Sequence, residues 1–282
     1  MVQGSCLCGQ VRYEVSGPFS MMGHCHCSMC RKHHGALFVT FVAAPIGNFR
    51  WLAGQQGIGS YESSPGGSRS FCLVCGSVAP LLLAQLNMVF IPAGNLQGDL
   101  GIKPDNHIFV GSKAPWYEIT DGLPQYEQFP PGFDAPPIER PLVAPKEGVT
   151  QGSCLCGDVA YEIEGRPLYV RSCHCSRCRR ARSAAHATNA FYTFDQFHWV
   201  RGAGQVVDYK HADAKYFGAA FCSRCGGSAP RASRERGLVV VAVGSLDTDP
   251  QMRPQAHIFV GSKAGWFDIT DDIPQFAEMP AP

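Results

Sequence analysis

Fourteen cysteines fall into three spaced groups, and every group occurs twice. The central group, Cys25-His26-Cys27-Ser28-Met29-Cys30, returns as Cys173-His174-Cys175-Ser176-Arg177-Cys178 and sets three thiols within six residues. A C-x-C pair precedes it (Cys6, Cys8; Cys154, Cys156), and a C-x-x-C pair follows it (Cys72, Cys75; Cys222, Cys225). No cysteine is left over, and each half of the chain holds seven. A disulfide framework wants an even number per unit and would orphan one thiol in each half. Zinc divides seven differently, because a closed structural site takes four thiolates and a site kept open for water or substrate takes three. The expected partition joins C-x-C to C-x-x-C as the closed site and leaves C-H-C-x-x-C as the open one.

The spacing supports that division. Side chains two apart on extended backbone point to one face, which suits C-x-C. In C-x-x-C a tight turn gathers the thiols, and the following glycines (Gly76; Gly226 with Gly227) let the chain bend sharply. The pairs lie about 65 residues apart, so a shared metal would clamp the first strand of a unit to its middle. Such binding contributes on the order of 10 kcal/mol and can make folding metal-dependent. The triplet supplies three corners of a tetrahedron. Its fourth position is open to water, a substrate thiolate or a histidine: His26 and His174 are nearest in sequence. His107 and His257 begin matching apolar strands and serve equally well as structural histidines.

These groups need a scaffold, and the chain repeats one. Gly4-Ser5-Cys6-Leu7-Cys8-Gly9 recurs as Gly152-Ser153-Cys154-Leu155-Cys156-Gly157, and His107 through Ala114 recurs unchanged as His257 through Ala264. The offset is 148 residues up to the triplet and 150 afterwards, so the second copy carries two extra residues between Cys178 and Cys222. A period of this length is domain duplication, not a solenoid. The expected units are residues 1–130 and 151–282, joined by a semi-rigid connector over 131–150 that is rich in proline (Pro131, Pro136, Pro137, Pro141, Pro145, after Pro130).

Within each unit the periodicity is mainly β. Val11 to Val15 and Val159 to Ile163 alternate in character, while Phe38–Val42, Val89–Pro92 and Leu238–Val243 are rich in β-branched and aromatic residues. One or two helical turns are expected just after each triplet, over 30–34 and 178–184. With 45% apolar and 17% charged residues, the chain reads as globular. A net charge of +1 without a basic stripe argues against a nucleic-acid or membrane partner. Apolar runs such as Leu81 to Leu83 are strand-sized, far below a membrane span. No basic stretch followed by an apolar run opens the chain, and many unpaired thiols suit a reducing compartment, so the expected location is cytoplasmic.

The order G-x-C-x-C-G, C-H-C-x-x-C-R, F-C-x-x-C-G, then H-I-F-V and a tryptophan resembles the glutathione-dependent formaldehyde-activating (Gfa or centromere-protein-V-like) family, over 4–129 and again over 152–279. The resemblance implies a zinc-bearing β-tent of the Mss4-like kind in each unit, with up to two Zn2+. It makes Cys6, Cys8, Cys72 and Cys75, and Cys154, Cys156, Cys222 and Cys225, structural ligands. It makes Cys25, Cys27 and Cys30, and Cys173, Cys175 and Cys178, the catalytic site. The reaction implied is carbon–sulfur bond formation between glutathione and formaldehyde, giving S-hydroxymethylglutathione. An open zinc site keeps a bound thiol as thiolate and polarises an aldehyde oxygen. Arg31 with Lys32, and Arg179 with Arg180, would meet a carboxylate of the tripeptide.

Two other readings compete: the same scaffold acting on another small aldehyde or thiol, and a non-catalytic zinc-stabilised binding module. The copies differ after the triplet, with His33-His34-Gly35-Ala36 in one and Ala181-Arg182-Ser183-Ala184 in the other. The resemblance favours glycine at the third of these positions, so Gly35 marks the first unit as the more typical and Ser183 marks the second as drifted in substrate or activity. Asp121 and Asp271 close matching I-T-D turns and read as structural. Trp116 and Trp266 read as core or pocket wall. The tandem is expected to mimic a homodimer without needing oligomerisation.

Overall fold

The computed structural model describes residues 1–132 and 143–280. Alternating and β-branched segments form strands where the sequence places them. The first half contains β1 (Val2–Ser5), β2 (Arg12–Val15), β3 (Met21–Cys25), α1 (Ser28–His34), β4 (Val39–Pro45), β5 (Phe49–Ala53), β6 (Ile58–Ser64), β7 (Gly67–Cys72), β8 (Leu81–Leu83), β9 (Met88–Pro92) and β10 (His107–Ile108). The second repeats that order as β11 (Val149–Ser153), β12 (Ala160–Glu164), β13 (Tyr169–Cys173), α2 (Ser176–Arg182), β14 (Ala187–Thr193), β15 (Phe197–Arg201), β16 (Val206–Lys210), β17 (Gly218–Cys222), β18 (Arg231–Ser233), β19 (Leu238–Ala242) and β20 (His257–Ile258). The protein is mainly β, in two alike halves.

Each half has a three-stranded sheet (β1-β2-β5; β11-β12-β15), a five-stranded sheet (β10-β3-β4-β9-β8; β20-β13-β14-β19-β18) and a hairpin (β6-β7; β16-β17). The short β10 and β20 lie parallel to β3 and β13, where they buttress the strand that leads into the triplet. Tyr13 is fully buried and packs against Phe49 and Trp51, with Tyr161, Phe197 and Trp199 in the same arrangement in the second half. The two extra residues fall in the second hairpin: Ile58 pairs with Cys72 across a tight turn, while Val206 pairs with Cys222 across a longer connection.

The halves pack face to face about a pseudo-twofold axis, and equivalent residues meet across it. Phe38 lies edge-on to His186, its counterpart, with ring centres 5.5 Å apart. Thr120 Oγ1 lies 2.6 Å from Thr270 Oγ1. Backbone approaches closely at two related points. A Cβ on Gly94 would lie 2.2 Å from Ala184 N, and one on Gly244 would lie 2.3 Å from Ala36 O, so only glycine fits either place. Of the proline-rich connector, residues 133–142, with Pro136, Pro137 and Pro141, lie outside the described residues.

Candidate functional site

Cys6, Cys8, Cys72 and Cys75 converge with all four sulfurs within 4.8 Å of one another, and Cys154, Cys156, Cys222 and Cys225 do the same. C-x-C lies in the turn after the first strand of each half. C-x-x-C lies in the turn after the hairpin, closed by Gly76 N donating to Cys72 O and Gly226 N to Cys222 O, both at 2.9 Å. No sulfur–sulfur bond forms, and every described cysteine is free. Neighbouring sulfurs stand 3.3 Å (Cys6–Cys8), 3.8 Å (Cys8–Cys72), 3.5 Å (Cys154–Cys156) and 3.9 Å (Cys156–Cys222) apart. A tetrahedron of thiolates around zinc, with bonds of about 2.3 Å, has edges of about 3.8 Å. The four-thiol groups fit that ion.

The triplets also converge. Cys25, Cys27 and Cys30 bring their sulfurs within 4.8 Å of one another, as do Cys173, Cys175 and Cys178, and among the described residues no histidine or carboxylate joins either set. Cys25 and Cys173 end the strands β3 and β13. Cys27 and Cys175 open the helices, their sulfurs accepting from Cys30 N at 3.2 Å and Cys178 N at 3.4 Å. The thiols push one another's acidities apart. Hydrogen bonds from Cys173 and then Cys178 lower Cys175 to about 2, while its bond to Cys175 raises Cys173 to about 12. Three such groups become thiolates together only around a cation.

The surroundings of the two triplets differ. In the first, all three cysteines are buried, and Arg69 of β7 donates to Cys30 Sγ at 3.4 Å. Cys30 is held well below its ordinary value, first by Cys25 and Cys27 and then by that guanidinium. In the second half the hairpin register puts Ala219 where Arg69 stands, and Cys175 is half-buried.

A chain of histidines escaped the sequence reading. His26 Nε2 lies 2.8 Å from His107 Nδ1, and His107 Nε2 lies 2.9 Å from Asp121 Oδ1. His174, His257 and Asp271 repeat it at 2.8 and 3.0 Å. With the carboxylate accepting, both rings carry their protons on Nε2, an inferred tautomer that leaves His26 Nδ1 and His174 Nδ1 buried without partners among the described residues. Burial holds both neutral, at about 3 and about 2. Asp121 and Asp271 do brace their turns, accepting from Leu123 N and Ile273 N, but each also fixes the ring that orients the triplet's histidine. The signal was present as an unchanged H-I-F-V…I-T-D spacing in both copies.

The four basic residues expected near a substrate carboxylate separate. Lys32 is 3% exposed and bound within the protein: its Nζ lies 2.6 Å from Asp247 Oδ1 and donates to Ser153 O and Ser245 O. Arg31 is buried and donates to Ser112 O at 3.3 Å. Arg179 and Arg180 instead line a cavity of about 750 Å³ between the halves, together with Ser176, Lys263 and Trp266. Arg179 Nε is buried with no hydrogen-bond partner among the described residues, and burial beside Arg180 holds its guanidinium below the ordinary arginine range.

A protein-family model described as "Glutathione-dependent formaldehyde-activating enzyme" matches residues 1–112 and again 149–262. The chain belongs to this family. It is 28% identical over 128 residues to a Halomonas elongata protein named "Putative glutathione-dependent formaldehyde-activating enzyme", covering 42% of this chain and 81% of the relative. It is 24% identical over 120 residues to a Schizosaccharomyces pombe protein named "Uncharacterized lyase", covering 42% and 85%. A crystal structure of a Rhodobacter sphaeroides protein shares 28% identity, with 36% of this chain and 92% of that chain covered and a TM-score of 0.28. Less than half of this chain thus spans most of the Halomonas and Schizosaccharomyces relatives, and the family model matches the chain twice. Among the described residues no helix is long and apolar enough to cross a membrane.

Proposed function

We propose that this chain is a zinc-dependent carbon–sulfur lyase that joins glutathione to formaldehyde as S-hydroxymethylglutathione. The units are residues 1–130 and 151–282, joined by 131–150, and the setting is the reducing cytoplasm. The observation that carries the reading is a pair of unlike thiol groups in each half, one of four sulfurs at zinc-tetrahedral spacing and one of three that no fourth ligand joins among the described residues. Zinc at the three-thiol site would supply Lewis acidity and keep a bound thiol ionised at neutral pH.

The protein's own residues do the rest. Cys173, Cys175 and Cys178 would hold the metal, and His257 with Asp271 fixes His174, which stands between two of them in the chain. Arg179 and Arg180 supply cations for the tripeptide's carboxylates. In the reaction the glutathione sulfur bonds to the formaldehyde carbon, the carbonyl π bond opens, and the thiol proton ends on the former carbonyl oxygen. Nothing is oxidised or reduced.

Because the addition also runs unassisted, the test is an exchange measurement. The interconversion rate of glutathione and its hydroxymethyl adduct is followed by NMR with the zinc-loaded chain, and with Cys175→Ser and Cys27→Ser. Acceleration over buffer that Cys175→Ser abolishes supports the reading; a rate equal to buffer for the intact protein overturns it.

A further inference from the structure

Resting on that reading, we infer that the chain has one working thiol site, that it lies in the second half, and that both halves build its pocket. The cavity beside α2 is walled on one side by Ser176, Arg179, Arg180 and Lys263 and on the other by the first half's loop from Gly94 to Asp99. Its lining holds one carboxylate, Asp99. Lys103, also at the wall, is paired with Asp268 at 2.8 Å. Two adjacent guanidiniums, one with a buried Nε that has no partner among the described residues, call for an anion. A volume of about 750 Å³ lies in the usual range for a small-molecule site. Glutathione brings two carboxylates, and Ser176, at the start of α2 between Cys175 and Cys178, ties the wall to the second triplet.

In the first half the equivalent place is filled by residues of the second half. Lys32 stands at the position of Arg180, and Asp247 stands at the position of Gln97. Lys32 therefore meets a carboxylate of its own chain at 2.6 Å, with Ser153 O and Ser245 O completing its shell. Asp247 does to Lys32 what a substrate carboxylate would do to Arg180. Across the dyad the neutral Gln97 leaves the arginines uncompensated. Duplication has thus turned one anion site into a lock between the halves and kept the other.

The test is glutathione titration of the zinc-loaded full chain by calorimetry, with the exchange rate measured on the same samples. One glutathione per chain is expected. Arg180→Ala should raise Kd at least tenfold. So should Gln97→Asp, which copies the lock from the opposite half while leaving every residue of the second triplet and of α2 in place. Two glutathiones per chain, no binding, or an unchanged Kd in Gln97→Asp would overturn the inference. The two claims fail separately: adduct exchange with unaltered KM in Gln97→Asp removes this pocket and leaves the lyase. Binding that Gln97→Asp abolishes, in a protein that never accelerates exchange, leaves the pocket and removes the lyase.

Discussion

The first triplet and the second use the same three thiols on the same strand-to-helix turn, yet they sit in unlike surroundings. Around Cys30 the protein supplies Arg69, His33 and His34, and the sulfurs are buried. Around Cys178 the matching positions are Ala219, Ala181 and Arg182, Cys175 is half-buried, and a cationic cavity opens beside the loop. The contrast separates two demands on a thiol cluster. Holding a metal needs convergent sulfurs, which both copies keep. Admitting a second molecule needs space and an unmatched charge, which the second copy keeps. The match to the family's glycine at Gly35 marks the first unit as more typical, but that residue answers to the interface: a Cβ there would lie 2.6 Å from Ser228 Cβ.

The largest expected effect tests whether the closed and open groups differ in kind. Cys75→Ser and Cys225→Ser each remove one corner of a four-thiol group that ties the start of a half to its middle. Either should cost on the order of 10 kcal/mol and leave the chain largely unfolded. Cys27→Ser and Cys175→Ser should leave circular dichroism nearly unchanged while lowering bound zinc by one per chain. Melting of Cys75→Ser alongside the intact protein would erase the distinction between scaffold and site.

The next effect compares Lys32 with Arg180 directly. Lys32→Met leaves Asp247 without its cation in a nearly enclosed place, and removing one partner of a buried pair costs about 3–5 kcal/mol. Arg180→Met, at the equivalent position, removes a side chain whose Nε donates to Ser176 O in an exposed contact. It should change stability by less than about 0.5 kcal/mol. Urea midpoints measure both. Equal losses would mean that Arg180 also serves the interface and is not held for a ligand.

Much of the site could be read from residue order alone. Cysteine spacing sorted the thiols into fours and threes because ligand geometry is local on each side of the cluster. Alternation placed β2 and β12 because those strands bury one face, and β-branched and aromatic content placed β9. The fate of Lys32 was not legible. Its partner Asp247 lies more than two hundred residues away, and only the packing of one half on the other joins them. Ser183 is a similar case: it takes the left-handed conformation at φ 49°, and its hydroxyl accepts from Val78 N of the opposite half at 2.9 Å. An interface contact explains the departure from glycine. The histidine chain was missed for a different reason, since a spacing of fourteen residues repeated in both halves has no meaning until β10 lies against β3.

The smallest effect probes the dyad itself, where the two copies have diverged into Phe38 and His186. Burial holds His186 at about 3 against an ordinary value near 6.5. It packs among Phe38, Phe267, His174 and His257, with Thr188 Oγ1 at 3.2 Å from Nδ1. Between those two values the unfolded chain binds a proton that the folded chain refuses, so stability is lost as pH falls from about 6.5 toward 3. By about pH 5 this one group should account for about 2 kcal/mol. His186→Phe copies the residue of the other half and cannot take up that proton. Its melting temperature should match the intact protein near neutrality and exceed it increasingly under acid. Both proteins lose metal to acid alike, so the gap between them reports His186 alone. A constant gap across the range would mean that acid opens the seam between the halves at some other group, and that the histidine on one side of the dyad is as indifferent to pH as the phenylalanine facing it.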